Sequence, residues 1–144
     1  MTITVLTALV MLLSAAAIGT MVYFGAGVAP VLFKTLDEEK AGKLIRALFP
    51  VYYMVLAGLT GLAGALAMGV DPTSGFIMLM VAFTLVFARQ VMMPRINDLR
   101  DKAKTGSVMA QQAFDRAHSW SVRLNMIQLA ALVLAFGVFA LRAL

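Results

Sequence analysis

Four blocks of apolar residues, almost free of charge, follow one another along the chain at about 3–33, 44–69, 75–94 and 122–141. A helix that crosses a bilayer needs about 20 consecutive apolar residues. In a chain of 144 residues, four such crossings leave room only for short connections. The pattern predicts an all-α integral membrane protein, one domain over 1–144 built as an antiparallel four-helix transmembrane bundle. No soluble catalytic or binding domain fits beside the helices, so function has to use the helices, their connections or the membrane itself.

Composition narrows the chemistry. The chain is 62% hydrophobic and 13% charged, against about half and about a quarter in soluble domains. It has no cysteine and one histidine, His118, which removes disulfides, thiolate metal sites, iron–sulfur ligation and cysteine nucleophiles. The net charge of +5 comes from basic residues that flank apolar blocks. They read as topology signals facing anionic lipid headgroups, and no nucleic-acid partner is expected. A cleaved signal peptide is disfavoured, because no Lys or Arg precedes the first block and the apolar run continues past Ala15, Ala16 and Ala17.

The sides of the membrane follow from counting Lys and Arg. The first connection holds Lys34, Lys40, Lys43 and Arg46, the third holds Arg95, Arg100, Lys102, Lys104 and Arg116, and the second, Val70 to Ser74, holds none. By the positive-inside rule both basic connections are cytoplasmic and both termini lie on the non-cytoplasmic side, in a bacterial inner membrane. Asp37, Glu38 and Glu39 suit the first turn of a short interfacial helix within Lys34 to Lys43. The first block exceeds a bilayer crossing and is expected to tilt, protrude or break near Gly25, Gly27 and Pro30. Pro50 is expected to kink the second helix beside Tyr52 and Tyr53, which suit an interfacial belt.

Polar residues inside the blocks are few. At 100° per residue His118, Ser121, Asn125 and Gln128 fall within an arc of about 80°, a stripe descending the fourth helix toward mid-membrane. Such a stripe should face the bundle interior, to bind a ligand or to hydrogen-bond neighbouring helices. Arg89 stops the uncharged run of the third block and has no acidic residue within the predicted spans to pair with, so an anion is a reasonable partner. Lys34, Arg46, Arg89, Arg95, His118, Arg123 and the amides Gln90 and Asn125 all gather in the cytoplasmic half. Ala57, Gly61, Ala65 and Gly69, one every four residues, offer a small-residue seam for packing within the bundle or for a homo-oligomer. The methionines read mainly as core filler, with copper(I) as the competing reading.

The segments GVAPVLFK (27–34), AGKLIRALFPVYY (41–53), ARQVMMPRINDLRD (88–101) and FDRAHSWSVRLNMIQL (114–129) together resemble a four-helix membrane family of unknown function that includes the human cisplatin-resistance-associated transmembrane protein. The architecture is more distantly similar to copper-resistance membrane proteins and to the haem-linked protoporphyrinogen oxidase membrane family. The resemblance implies the fold, a membrane location and a site around Arg95, His118, Ser121 and Asn125. Three functions stay open: a non-enzymatic protein binding an anionic lipid or small solute in a cytoplasmic-side polar cavity, linked to export or resistance; a haem- or copper-handling protein using His118, with haem as the cofactor; and a membrane scaffold or assembly subunit. The first leads, with no cofactor expected and anionic headgroups as partners.

Overall fold

The computed structural model describes residues 2–143, with side-chain environments from 5 to 143. All the regular structure among them is helical, in four long rods. Helix α1 is continuous through Thr2–Val22, a π-helical segment Tyr23–Val28 and Ala29–Thr35. Helix α2 is Glu38–Ala67. Helix α3 runs through Pro72–Phe87, a second π-helical segment Ala88–Met92 and Met93–Lys104. Helix α4 is Val108–Ala143. Each is long and apolar enough to cross a membrane.

The irregularities have a common cause. A proline ring lacks the N–H that would bond the carbonyl four residues earlier, and it crowds that carbonyl. Pro30 and Pro94 each sit in the opening turn of the segment that follows a π-helical stretch, so the wider π turn takes up the lost bond without ending the helix. The break expected near Gly25 and Gly27 is therefore a change of helix type. Pro50 lies inside α2 and withholds the N–H that the Arg46 carbonyl would otherwise accept.

Two connections differ from the expectation. Residues 38–43 form no separate interfacial helix: Asp37 caps α2, its Oδ1 accepting from the Lys40 N–H at 2.9 Å, and Glu38 and Glu39 fill the first turn of the same long helix. The Lys40 ammonium, bonded to the same carboxylate, holds Asp37 below its ordinary value of 3.8. The polar stretch 97–112 is helical at both ends, broken only at Thr105, Gly106 and Ser107, where Gly106 takes φ +92° and the Ser107 hydroxyl caps α4. The apolar blocks at 75–94 and 122–141 thus sit inside helices that extend well beyond them.

Consecutive helices pack on one another, and α4 also packs on the first part of α1. The tightest approach is between α2 and α3, where a Cβ on Gly64 would stand 2.9 Å from the Leu79 backbone nitrogen and 3.0 Å from the Gly75 carbonyl. The core, with Val10, Ala17, Leu56, Ala63, Met78, Leu85, Leu132 and Phe139 fully buried, fills the half of the bundle nearer the Val70–Asp71 turn. At that end Asp71 is buried, accepts from Ser74 Oγ at 2.6 Å and pairs with Arg142 at 3.0 Å, which ties the end of α4 to the turn. The Ser74 hydroxyl, and after it Arg142, hold the Asp71 carboxyl below the usual range against the opposing effect of burial.

Candidate functional site

Toward the basic end the four helices part around a cleft of about 480 Å³. It opens beside the two π segments and the proline of α2. The first π segment and the residue after it supply Phe24, Gly25 and Ala29, the turns beside Pro50 supply Phe49, Tyr52 and Tyr53, and the second π segment and its successor supply Ala88, Met92 and Met93. The straight α4 forms the remaining wall with Phe114, His118, Ser121, Val122, Asn125 and Met126.

The floor is an aromatic cluster. Phe24 lies 4.6 Å from Tyr52 and 5.3 Å from Phe49 between ring centroids, and Phe49 and Tyr53 stack at 5.6 Å. Such pairs contribute about 0.5–1.5 kcal/mol each beyond the area they bury. Tyr52 and Tyr53 are 7% and 5% exposed, so they do not form an interfacial belt. Two and three residues after Pro50 they face inward, where the Asn125 amide donates to the Tyr52 hydroxyl at 3.4 Å.

The rim is charged. Arg100 lies flat over Gly42: a Cβ there would stand 2.5–2.8 Å from its guanidinium atoms. Arg100 donates to the Glu38 carbonyl at 3.4 Å, approaches the Glu38 carboxylate at 3.9 Å, and stands 6.0 Å from the Phe114 ring centre. His118 also stands at this rim, stacked on Phe114 at 5.8 Å and 12°. Arg46 is also at the rim but is already engaged, forked onto Asp101 at 2.8 and 3.2 Å and bonded to the Asn97 carbonyl at 3.3 Å.

The residues singled out in the sequence divide accordingly. Arg46, His118, Ser121 and Asn125 line the cleft. The stripe on α4 descends from exposed His118, through Ser121, whose hydroxyl donates to the His118 carbonyl at 2.8 Å, to buried Gln128. Gln128 donates to Thr84 Oγ1 at 3.0 Å, while its Oε1 is buried without a hydrogen-bond partner among the described residues. Arg89 is not a lining residue: its Nε donates to the Pro50 carbonyl at 3.1 Å, so it ties α3 to α2 at the proline. Gln90 and Arg95 are exposed and do not line the cleft. Arg123 lies over Trp120 at 5.5 Å, in a shallow groove with Asp115 and Arg116 away from the main cleft.

In the small-residue series, Gly61 meets Ala82 of α3 at 3.7 Å, Ala65 is exposed and Gly69 lies in the turn after α2. The residue at the closest helix approach is Gly64. Arg100, Gly42, Phe24 and Phe49 are not among the site residues drawn from the sequence, where Arg100 counts only as a topology charge and Phe49 only within a family-like segment; the available signal is the placement of Pro30, Pro50 and Pro94, one toward the basic end of each of three helices. Met92, Met93 and Met126 line the cleft, whereas Met21 and Met78 are core. Among the described residues no three His, Cys, Asp or Glu side chains gather as a metal-binding group.

Comparison with known proteins gives a family and a relative. No solved structure matches the chain. A protein of Aquifex aeolicus (strain VF5), described as uncharacterized, is 29% identical over 117 residues, which cover 80% of each chain. The domain of unknown function DUF4149 matches residues 12–105, a stretch that includes both π segments, Pro50, Gly42 and Arg100. That match spans more than half of the sequence, and the chain belongs to the DUF4149 family.

Proposed function

We propose that this chain is an antiparallel four-helix protein of the bacterial inner membrane, with both termini on the non-cytoplasmic side, whose cleft holds one anionic amphiphile drawn from the cytoplasmic leaflet. The orientation rests on the basic residues of the first and third connections and their absence from the second. The observation that carries the ligand class is the layered lining of a single cavity: an aromatic and methionine floor beneath a rim of Arg100 and His118.

A volume of about 480 Å³ lies within the range of about 300–1,000 Å³ that suits one small-molecule ligand. Apolar walls favour a hydrocarbon part, because each buried methylene is worth about 0.8 kcal/mol. Arg100, only loosely paired with Glu38 at 3.9 Å, is the guanidinium best placed to receive an anionic head, whereas Arg46 is committed to Asp101. A role in export or resistance, as the resemblance to the cisplatin-resistance-associated family implies, would use the same cleft to take amphiphiles out of one leaflet.

The test is native mass spectrometry of the protein released from its membranes. The wild type is expected to carry one lipid-mass adduct per chain. Arg100→Ala, which removes a charge-assisted contact of about 1.5–3 kcal/mol, should lower its occupancy roughly tenfold or more. Equal occupancy in wild type and variant, with the same lipid, would remove the proposal.

A further inference from the structure

The cleft is walled on three sides and open on the fourth. The first segment of α1, Thr2–Val22, packs against both α2 and α4. From Tyr23 onward α1 keeps α2 as a neighbour, but among the described residues it forms no substantial packing with α4. Two rows of residues face the gap, each at helical spacing i, i+4, i+8: Gly25, Ala29 and Phe33 on α1, and His118, Val122 and Met126 on α4. Phe33, Val122 and Met126 are 56%, 48% and 51% exposed, and a Cβ on Gly25 would meet nothing within 4 Å.

Apart from His118 the rows are apolar, and the α1 row lies inside the first long apolar block, so the gap is an apolar side opening next to the charged rim of Glu38, Arg46 and Arg100. We infer that the gap between the second half of α1 and α4 is a lateral portal through which a single-chain anionic amphiphile passes between the surrounding leaflet and the cleft; this rests on the ligand class proposed above. The chain passes Gly25 and Ala29 on one side and Val122 and Met126 on the other to reach Phe24 and Tyr52. The head stays at the polar end of the same gap, beside His118 and Arg100.

Charge separates this occupant from an apolar helix of another protein: the gap leads to Arg100 at its polar end and to apolar surface elsewhere, which matches one anionic head on one hydrocarbon chain.

The cysteine-free chain allows the portal to be closed at will. Cysteines replace Ala29 and Met126, and a bis-maleimide bridges them, with the protein in phosphatidylglycerol vesicles and dibromostearate as the mass-tagged probe. Native mass spectrometry counts the bound probe. The wild type should take up one probe per chain; in the double variant, bridging before the probe is added should cut uptake at least tenfold relative to the same variant unbridged. Bridging after loading should retain the probe through dilution into probe-free vesicles, while unbridged protein loses it. Uptake and release unaffected by bridging in either order would overturn the portal and leave the cleft as a binding site. No probe on the wild type would overturn the ligand class itself, and the portal with it.

Discussion

Gly42 and Arg100 show how one side chain at the rim depends on the absence of another. A methyl group at 42 would enter the space of the guanidinium, at 2.5–2.8 Å. Because the obstructed atoms are the end of a flexible side chain, the fold should tolerate the change at about 0.5 kcal/mol or less, while Arg100 swings off its seat. Gly42→Ala is therefore expected to leave thermal stability nearly unchanged and to weaken amphiphile binding about tenfold, or roughly 1.4 kcal/mol; binding titration beside a melting curve checks both. At the other end of the molecule Asp71 makes a prediction about pH. Its folded value lies below the ordinary 3.8, so its stabilising contribution is complete above that value and is lost as pH falls through the lowered one. Wild-type stability should decline on acidification below about pH 4, and Asp71→Asn should flatten that decline while lowering stability at neutral pH. A wild type and variant with parallel pH profiles would contradict the role given to Asp71.

Among the elements, the α2–α3 contact and the two π segments divide the labour of packing and opening. Gly64 and Gly75 let backbones touch, and a Cβ on Gly75 would stand 2.8 Å from the Met68 nitrogen and 2.9 Å from the Gly64 carbonyl. Gly64→Ala forces the helices apart at an expected cost of about 1–3 kcal/mol, whereas Gly61→Ala, with 3.7 Å to its nearest neighbour, should cost less than about 0.5 kcal/mol. Unfolding in mixed micelles separates the two, and equal effects would show that the seam lies elsewhere. The π segments hold the cleft open by displacing Phe24 and Ala88 from the register of a continuous α-helix. Deleting Gly25 removes the extra residue that the wide turn accommodates, so α1 becomes a continuous α-helix whose two halves keep their relative orientation while the bulge at Phe24 is lost. The deletion is expected to preserve helical content by circular dichroism and abolish amphiphile binding. Retained binding would mean that the segment does not shape the cleft.

For the whole molecule, the four membrane-length helices were legible because long uncharged runs have few ways to satisfy their backbone in lipid. The stripe of His118, Ser121 and Asn125 was legible because helical periodicity alone puts those residues on one side. The cleft was not, since it depends on how Pro30, Pro50 and Pro94 line up across three helices, and on pairings such as Arg89 with the Pro50 carbonyl and Arg46 with Asp101. Those bridge residues 39 and 55 positions apart; no local pattern encodes them. Orientation has its own test: with cysteines at Thr73 or Lys104, a membrane-impermeant maleimide added to intact cells should label the first and spare the second. The reverse labelling would invert the proposed topology. The occupancy of the cleft is tested most directly by a photoactivatable single-chain fatty acid, irradiated with the protein in vesicles and mapped by peptide sequencing. Adducts should concentrate on Phe24, Tyr52, Met92 and Asn125. Adducts distributed instead over exposed outer residues such as Phe83 and Leu134, which are 66% and 68% exposed, with none inside the cleft, would contradict the account.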